Sequence, residues 1–133
     1  MLLFLLDTDI CSYIIRERPP SVKERLAAVP IEQQCISAVT YAELVYGVRR
    51  YSSQRVNQAV IDAFVSHLDV LDWTKAAADH YGDIRALLEA KGCPIGNMDL
   101  LIAAHARSLD ATVVTNNVKH FRRVPKLKVE RWI

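Results

Sequence analysis

No stretch of this chain approaches the roughly 20 consecutive apolar residues that a membrane-spanning helix needs; the longest runs, 1–6 and 100–104, stop far short. Met1 leads straight into Asp7 with no basic region or cleavage site between them, so the sequence predicts a cytoplasmic protein without a membrane partner. Cysteine is scarce as well. Cys11, Cys35 and Cys93 are odd in number and lack C-x-x-C spacing, and no histidine stands at zinc-ligand distance, which excludes a disulfide framework and a zinc site and leaves buried free thiols. His67, His80, His105 and His120 share neither a face nor a spacing, which argues against a histidine metal cluster or a histidine general base; one turn after Leu101, His105 reads as a core or interface side chain. Repeats, linkers and low-complexity tracts are missing too. A formal net charge of +2 is too small to announce a nucleic-acid partner by itself.

What is present is apolar and patterned. With 51% hydrophobic residues in 133, the chain can bury one core and is expected to form a single domain over 1–133. Residues 2–6 are an unbroken apolar run suited to a strand buried on both faces. Helical spacing follows over 8–16 and ends at Arg18-Pro19-Pro20. Ser21 is placed to cap a second helix carrying Val22, Leu26 and Val29, closed by Pro30. A short strand is expected at 34–37, a helix at 39–51 with Glu43 in its first turn, and a second arm of a helical hairpin at 54–68, with Ser52-Ser53 at the bend. Next come a strand at 70–71 and a long amphipathic helix at 75–91 closed by Gly92. Asn97 is placed to cap a core helix at 98–109; beyond it lie a β-branched strand at 112–115, a helical turn at 118–121 and a last strand at 128–130. Strands alternating with helices across short turns predict an α/β fold with a mainly parallel sheet of four to five short strands, covered by helices on both faces.

Asp7, Glu43 and Asp99 each sit where an apolar stretch hands over to a helical one. In an open parallel sheet ligands bind beyond the carboxyl ends of the strands, so these acids and Asn117, which follows the fourth strand, are expected to converge if the first, second and fourth strands are neighbours. Hard oxygen donors of that kind suit Mg²⁺, which retains water able to attack phosphorus. Each acid also has a plain structural reading. Thr40-Tyr41-Ala42-Glu43 matches a capping box, and Asp99 could serve a helix dipole alone. Asp7 closes a buried strand, where a carboxylate has little structural purpose, although Thr8 or Asp9 could cap the next helix.

Basic residues are unevenly spread. Lys119, Arg122, Arg123, Lys126, Lys128 and Arg131 crowd the end of the chain just past Asn117, which makes Lys119, Arg122 and Arg123 candidate RNA-backbone contacts, with an ordinary solvated face as the alternative. Tyr41, Tyr46 and Tyr51 near Arg49, Arg50 and Arg55 read either as a stacking and phosphate-contacting surface or, preferably, as a protein interface.

The chain resembles the PIN-domain ribonuclease toxins of the VapC type. The resemblance runs nearly end to end, through Leu6-Asp7-Thr8-Asp9-Ile10, Ile36-Ser37-Ala38-Val39-Thr40-Tyr41-Ala42-Glu43-Leu44, the segment from Pro94 to Ala106 that holds Asn97-Met98-Asp99, and Val114-Thr115-Asn116-Asn117. It implies a Mg²⁺- or Mn²⁺-dependent endoribonuclease with Asp7, Glu43 and Asp99 on the metal and Asn117 and Thr115 at the fourth motif, beside supporting Thr8 and Asp9. It also implies transfer RNA as target, including the initiator anticodon stem-loop; a homodimer; and a cognate VapB-type antitoxin lying over the groove, through which alone the complex meets promoter DNA. This chain departs from the pattern at two places. Many such domains carry Asp where Asn117 stands, and close relatives often carry Glu where His120 stands, so a fourth acid is missing and one well-held metal is expected, or a second that arrives with the RNA phosphate. Asp9, where Asn is common, adds charge beside Asp7.

Two rival readings follow from the same residues. Asp7-Thr8-Asp9 also looks like the opening motif of haloacid-dehalogenase-type phosphatases, with Ser37 as the second-strand hydroxyl, but Asn116-Asn117 fails the acidic pair that chemistry needs late in the chain. A catalytically weak PIN scaffold, acting only through antitoxin and operator, has no evident reason to keep three mutually repelling acids.

Overall fold

The computed structural model describes residues 2–132. Met1 and Ile133, the ends of the expected 1–133 domain, lie outside the described residues. Five strands, β1 (Phe4–Leu6), β2 (Gln34–Ser37), β3 (Asp69–Leu71), β4 (Thr112–Val114) and β5 (Lys128–Glu130), form one parallel sheet in the order β3-β2-β1-β4-β5. The chain therefore steps outward from β1 to β2 and β3, then crosses back to continue on β1's other side. That reversal leaves a crevice at the carboxyl ends of β1 and β4, the position where such sheets bind ligands.

Side chains of the central strands alternate between two cores. Leu5, Cys35 and Val113 pack with Ile84 and Leu88 of α5 (Lys75–Ala90) and with Leu100, Ile102 and Ala103 of α6 (Asn97–Ser108). Phe4, Leu6, Ile36 and Val114 pack on the opposite face with α1 (Thr8–Arg16), α2 (Pro20–Ala27), α3 (Ala38–Arg50) and α4 (Gln58–Val65), through Ile10, Val22, Leu44 and Ile61. The result is the expected three-layer α/β/α arrangement, and the central strands read as solid apolar runs because both their faces are covered. A last turn, α7 (Val118–Phe121), follows β4.

Boundaries shift where capping decides them. Ser21 does not cap α2; the helix opens at Pro20, whose missing N–H costs nothing at a first-turn position. Asn97 is the first residue of α6 rather than its cap, because Gly96 holds the extended cap position. Residues 51–57 form an irregular connection, and α4 starts only at Gln58, where the Asn57 side chain accepts from Val60 N–H at 3.1 Å. Gly92, at φ +70°, closes the α5 end as the sequence predicts. All three cysteines are free thiols, Cys11 and Cys35 buried. Among the described residues no helix is long and apolar enough to cross a membrane.

Candidate active site

Asp7 leaves β1 with its N–H still bonded to the Val114 carbonyl at 3.0 Å, so the sheet ladder fixes its backbone. Its side chain is buried at 2% exposure and caps α1: Oδ1 accepts from Ile10 N–H at 2.9 Å. The carboxylate thus has the structural purpose that sequence reasoning denied it, and neither Thr8 nor Asp9 is the cap. The other oxygen, Oδ2, accepts from the Thr115 hydroxyl at 2.5 Å. That hydroxyl accepts in turn from Asn117 N–H at 2.9 Å, so its own proton is directed at Asp7.

Desolvation by burial pushes the Asp7 carboxyl up to about 7, against the lowering effect of the Thr115 and Ile10 hydrogen bonds, with the charges of Asp9 and Asp99 raising it further. Asp99, in the first turn of α6, is raised chiefly by burial, opposed by its hydrogen bond from Asn117. Asn117 Nδ2 donates to Asp99 Oδ2 at 3.2 Å and lies 2.7 Å from His120 Nδ1, so one amide bridges the acid and the imidazole. His120 also acts on Asp99 electrostatically, holding it down. Asp9 is exposed in the first turn of α1 and adds negative charge beside both Asp7 and Asp99.

Glu43 corrects a local expectation. Because Ser37 caps α3 and the helix begins at Ala38, Glu43 lies in the second turn and Thr40 is a buried helical residue, so no capping box forms. Instead Glu43 Oε1 accepts from the Thr8 hydroxyl at 2.5 Å, which ties it to the residue after Asp7. Thr8 is 3.4 Å from Thr40 Oγ1 as well.

Beta1, β2 and β4 are neighbours as the convergence requires, and Asp7, Thr115, Asn117 and Asp99 form one connected network, with Thr8 and Glu43 at its flank. The donors are hard carboxylate oxygens, and the raised Asp7 carboxyl beside two other acids is the electrostatic state that a bound cation relieves; Mg²⁺ or Mn²⁺ fits this donor set. Among the described residues, no three His, Cys, Asp or Glu side chains stand close enough together to hold a metal ion as they are placed, so the structure does not gather Asp7, Glu43 and Asp99 into one ligand set. A cavity of about 540 Å³ between α1, α2 and α4 is mainly apolar and includes none of these acids.

The basic candidates divide. Lys119 on α7 and Arg122 at its C-cap are exposed, a short way past Asn117. Arg123 is committed to the Pro94 carbonyl at 3.0 Å, Arg49 to Gln58 Oε1 at 2.8 Å, and Arg50 to the Tyr51 hydroxyl at 3.0 Å. Sequence reasoning missed one buried pair. His105 Nδ1 is 2.8 Å from Ser37 Oγ, which also accepts from Val39 N–H at 3.1 Å, so the Ser37 hydroxyl is held between the helix start and the imidazole. The ring's Nε2 is buried beside the Asp72 backbone with no partner of full hydrogen-bond geometry among the described residues, and the Ser37 hydroxyl is not free to bind a phosphate. A serine ending a strand, ahead of a helix, was the available signal for the cap, but nothing local points to His105 across 68 residues.

A five-stranded parallel sheet with reversed strand order and an acidic edge suits a PIN-type nuclease, and the PIN domain family model matches residues 4–127. The chain is 48% identical over 132 residues to the tRNA(fMet)-specific endonuclease VapC of Shigella flexneri, covering 99% of each chain. It is similar in structure to the toxin chain in DNA-bound VapBC from Salmonella typhimurium, with a TM-score of 0.92, 42% identity and complete coverage of both chains. VapBC2 from Rickettsia felis, bound to a DNA fragment from its promoter, gives a TM-score of 0.91 at 40% identity, over 99% of this chain and 100% of that one. The chain belongs to the VapC ribonuclease toxins of the PIN-domain family.

Proposed function

We propose that this chain cuts transfer RNA in the cytoplasm as a divalent-cation-dependent endoribonuclease, that its target is the anticodon stem-loop of the initiator, and that a VapB-type antitoxin neutralises it. The observation that carries the reading is Asp7, a carboxylate held at the switch point of the sheet, desolvated and beside Asp9 and Asp99, where a cation offsets its charge. The names of relatives at 42–48% identity support the tRNA target. Structures of similar VapBC complexes on DNA, one of them a promoter fragment, support the partner, and on our reading this chain meets DNA only through the antitoxin.

Asp7, Asp99 and Glu43 are the residues that would hold the cation. When bound, it supplies a water acidified enough to attack phosphorus and neutralises charge on the departing 3′ oxygen. The chain's own part is positioning. Thr115 and Ile10 fix both Asp7 oxygens, Thr8 fixes one Glu43 oxygen, and Asn117 fixes one Asp99 oxygen while leaving the other open. A neutral amide at position 117 adds no charge, which favours one resident ion. Lys119 and Arg122 border this edge and contact RNA phosphates. One domain suffices for all of this, acting as a homodimer.

Mapping new 5′ ends in total RNA after induction tests the reading. Wild type should generate ends in the anticodon loop of initiator tRNA, Asp99→Asn should not, and co-expression of the antitoxin should suppress them. Equal end patterns for wild type and Asp99→Asn would overturn it.

A further inference from the structure

A groove leaves the acidic edge on the α1–α3 side. Its first part is a pocket of about 150 Å³ with Thr8 and Glu43 at one end, an apolar floor that includes Leu44 and Ile61, and Tyr51 at the other end. Its second part is an open cleft of about 270 Å³ that shares Arg16 and Val56 with the first and adds Arg18 and Arg55. Arg16, Arg18 and Arg55 are exposed, and among the described residues none of the three guanidinium groups makes a hydrogen bond or ion pair. Glu17, the acid in sequence between two of them, is taken by Lys23 at 3.0 Å.

The helix face beneath the pocket explains its shape. Glu43 and Gly47 succeed one another by one turn on α3, Tyr51 caps the helix end four residues further on, and Gly47 leaves the gap: a Cβ built there meets nothing within 4 Å. The gap is flanked by a carboxylate already placed in the active site and by a tyrosine that is 70% exposed and held by Arg50, whose guanidinium lies 5.2 Å from the ring centroid. At about 150 Å³ it is smaller than the roughly 300–1,000 Å³ pockets that enclose drug-sized ligands, a size suited to one flat ring.

We propose that this groove is the path of a single RNA strand beside the scissile bond: one nucleobase sits over Gly47 against the Tyr51 ring, and the neighbouring phosphates lie on Arg16, Arg18 and Arg55. The proposal rests on the nuclease reading and adds to it where the strand runs. An aromatic face beside uncommitted guanidinium groups is the combination that binds single strands through stacking and charge. Its chemistry differs from that of the acidic edge it joins, so substrate is drawn in by one part of the groove and cut at the other.

The test measures binding in the Asp99→Asn background, using a fluorescent anticodon stem-loop RNA, with circular dichroism confirming that each variant folds. Replacing the three arginines (R16Q, R18Q, R55Q) should weaken binding by at least about tenfold and lower the slope of log affinity against log salt by roughly 2, as lost single-strand phosphate contacts require. Gly47→Leu, which fills the pocket without backbone strain, should weaken binding about threefold to tenfold with the salt slope unchanged, since stacking is not a charge contact. Unchanged RNA affinity in both variants, with wild type still cutting the RNA, overturns the groove assignment and leaves the nuclease reading intact. Loss of antitoxin binding with RNA binding retained overturns it in favour of a protein occupant. Failure of wild type to cut any RNA with Mn²⁺ present would instead sink the nuclease reading itself.

Discussion

Just past the ends of neighbouring strands, the Thr115 hydroxyl donates its single proton to Asp7 Oδ2 while its oxygen accepts from Asn117 N–H. Asp7 is thereby kept as an acceptor, although burial drives its carboxyl up to about 7.

Stability of the metal-free protein should therefore fall as pH rises. Asp7 titrates near 3.8 when unfolded and about 7 when folded, so between those values the native state holds a proton the unfolded chain has released. Its contribution is complete below about pH 4 and gone above about pH 7, at most about 4 kcal/mol. Melting temperatures in EDTA should decline from pH 5 to pH 8, Asp7→Asn should flatten that decline, and Mn²⁺ should restore wild type but not the variant. An equally steep decline in Asp7→Asn would sink the assignment.

Replacing Asn117 by Asp should tighten divalent-ion binding by about tenfold, because a carboxylate adds charge where an amide now donates to Asp99. The same change should lower the melting temperature in EDTA, since two acids then face each other at the former 3.2 Å contact. Calorimetric titration with Mn²⁺ is the check; an unchanged or weaker affinity contradicts the role given to the amide.

Thr8→Val should lower the cleavage rate by about tenfold through release of Glu43, a charged hydrogen bond being worth roughly 1.5–3 kcal/mol. Thr8→Ser should restore it, since the hydroxyl and not the methyl group positions the acid. Parallel loss in both variants would assign the effect to packing.

The buried Ser37–His105 pair links β2, at the start of the helix that carries Glu43, to the helix that carries Asp99. Burial holds His105 below the ordinary 6.5, with the Asp72 backbone opposing, so the unfolded chain takes up a proton that the folded chain refuses. This contribution is present above pH 6.5 and lost as pH falls below it. Ser37→Ala removes the partner as well as the α3 cap and should cost about 1–3 kcal/mol by urea denaturation. His105→Gln should weaken the loss of stability on acidification; a wild-type acid limb in that variant would contradict the assignment.

Much of this architecture was legible beforehand, for reasons that differ by element. The ranges of α1, β2, α7 and β5 match because apolar runs and breakers define them locally. Asp7, Asp99 and Asn117 converge as strand order requires. What failed was capping: Asp7 turned out to cap α1, Gly96 displaced Asn97, and the Thr40–Glu43 spacing resembled a box that the true helix start at Ala38 rules out. A cap is set by one residue's backbone angles, which tertiary packing fixes and side-chain identity only biases. The Ser37–His105 pair was out of reach for a related reason, since each residue has an ordinary local explanation.

Strand β4 pairs beside β1 and brings the partners of Asp7 with it, so that Thr115 meets Asp7 across 108 residues of chain. During synthesis the first acid stands without Thr115 or Asn117 until that intervening chain has followed it. Pairing of such distant parallel strands is among the slower folding events. Cutting competence should therefore appear late in folding, leaving an interval in which the nascent nuclease is inert.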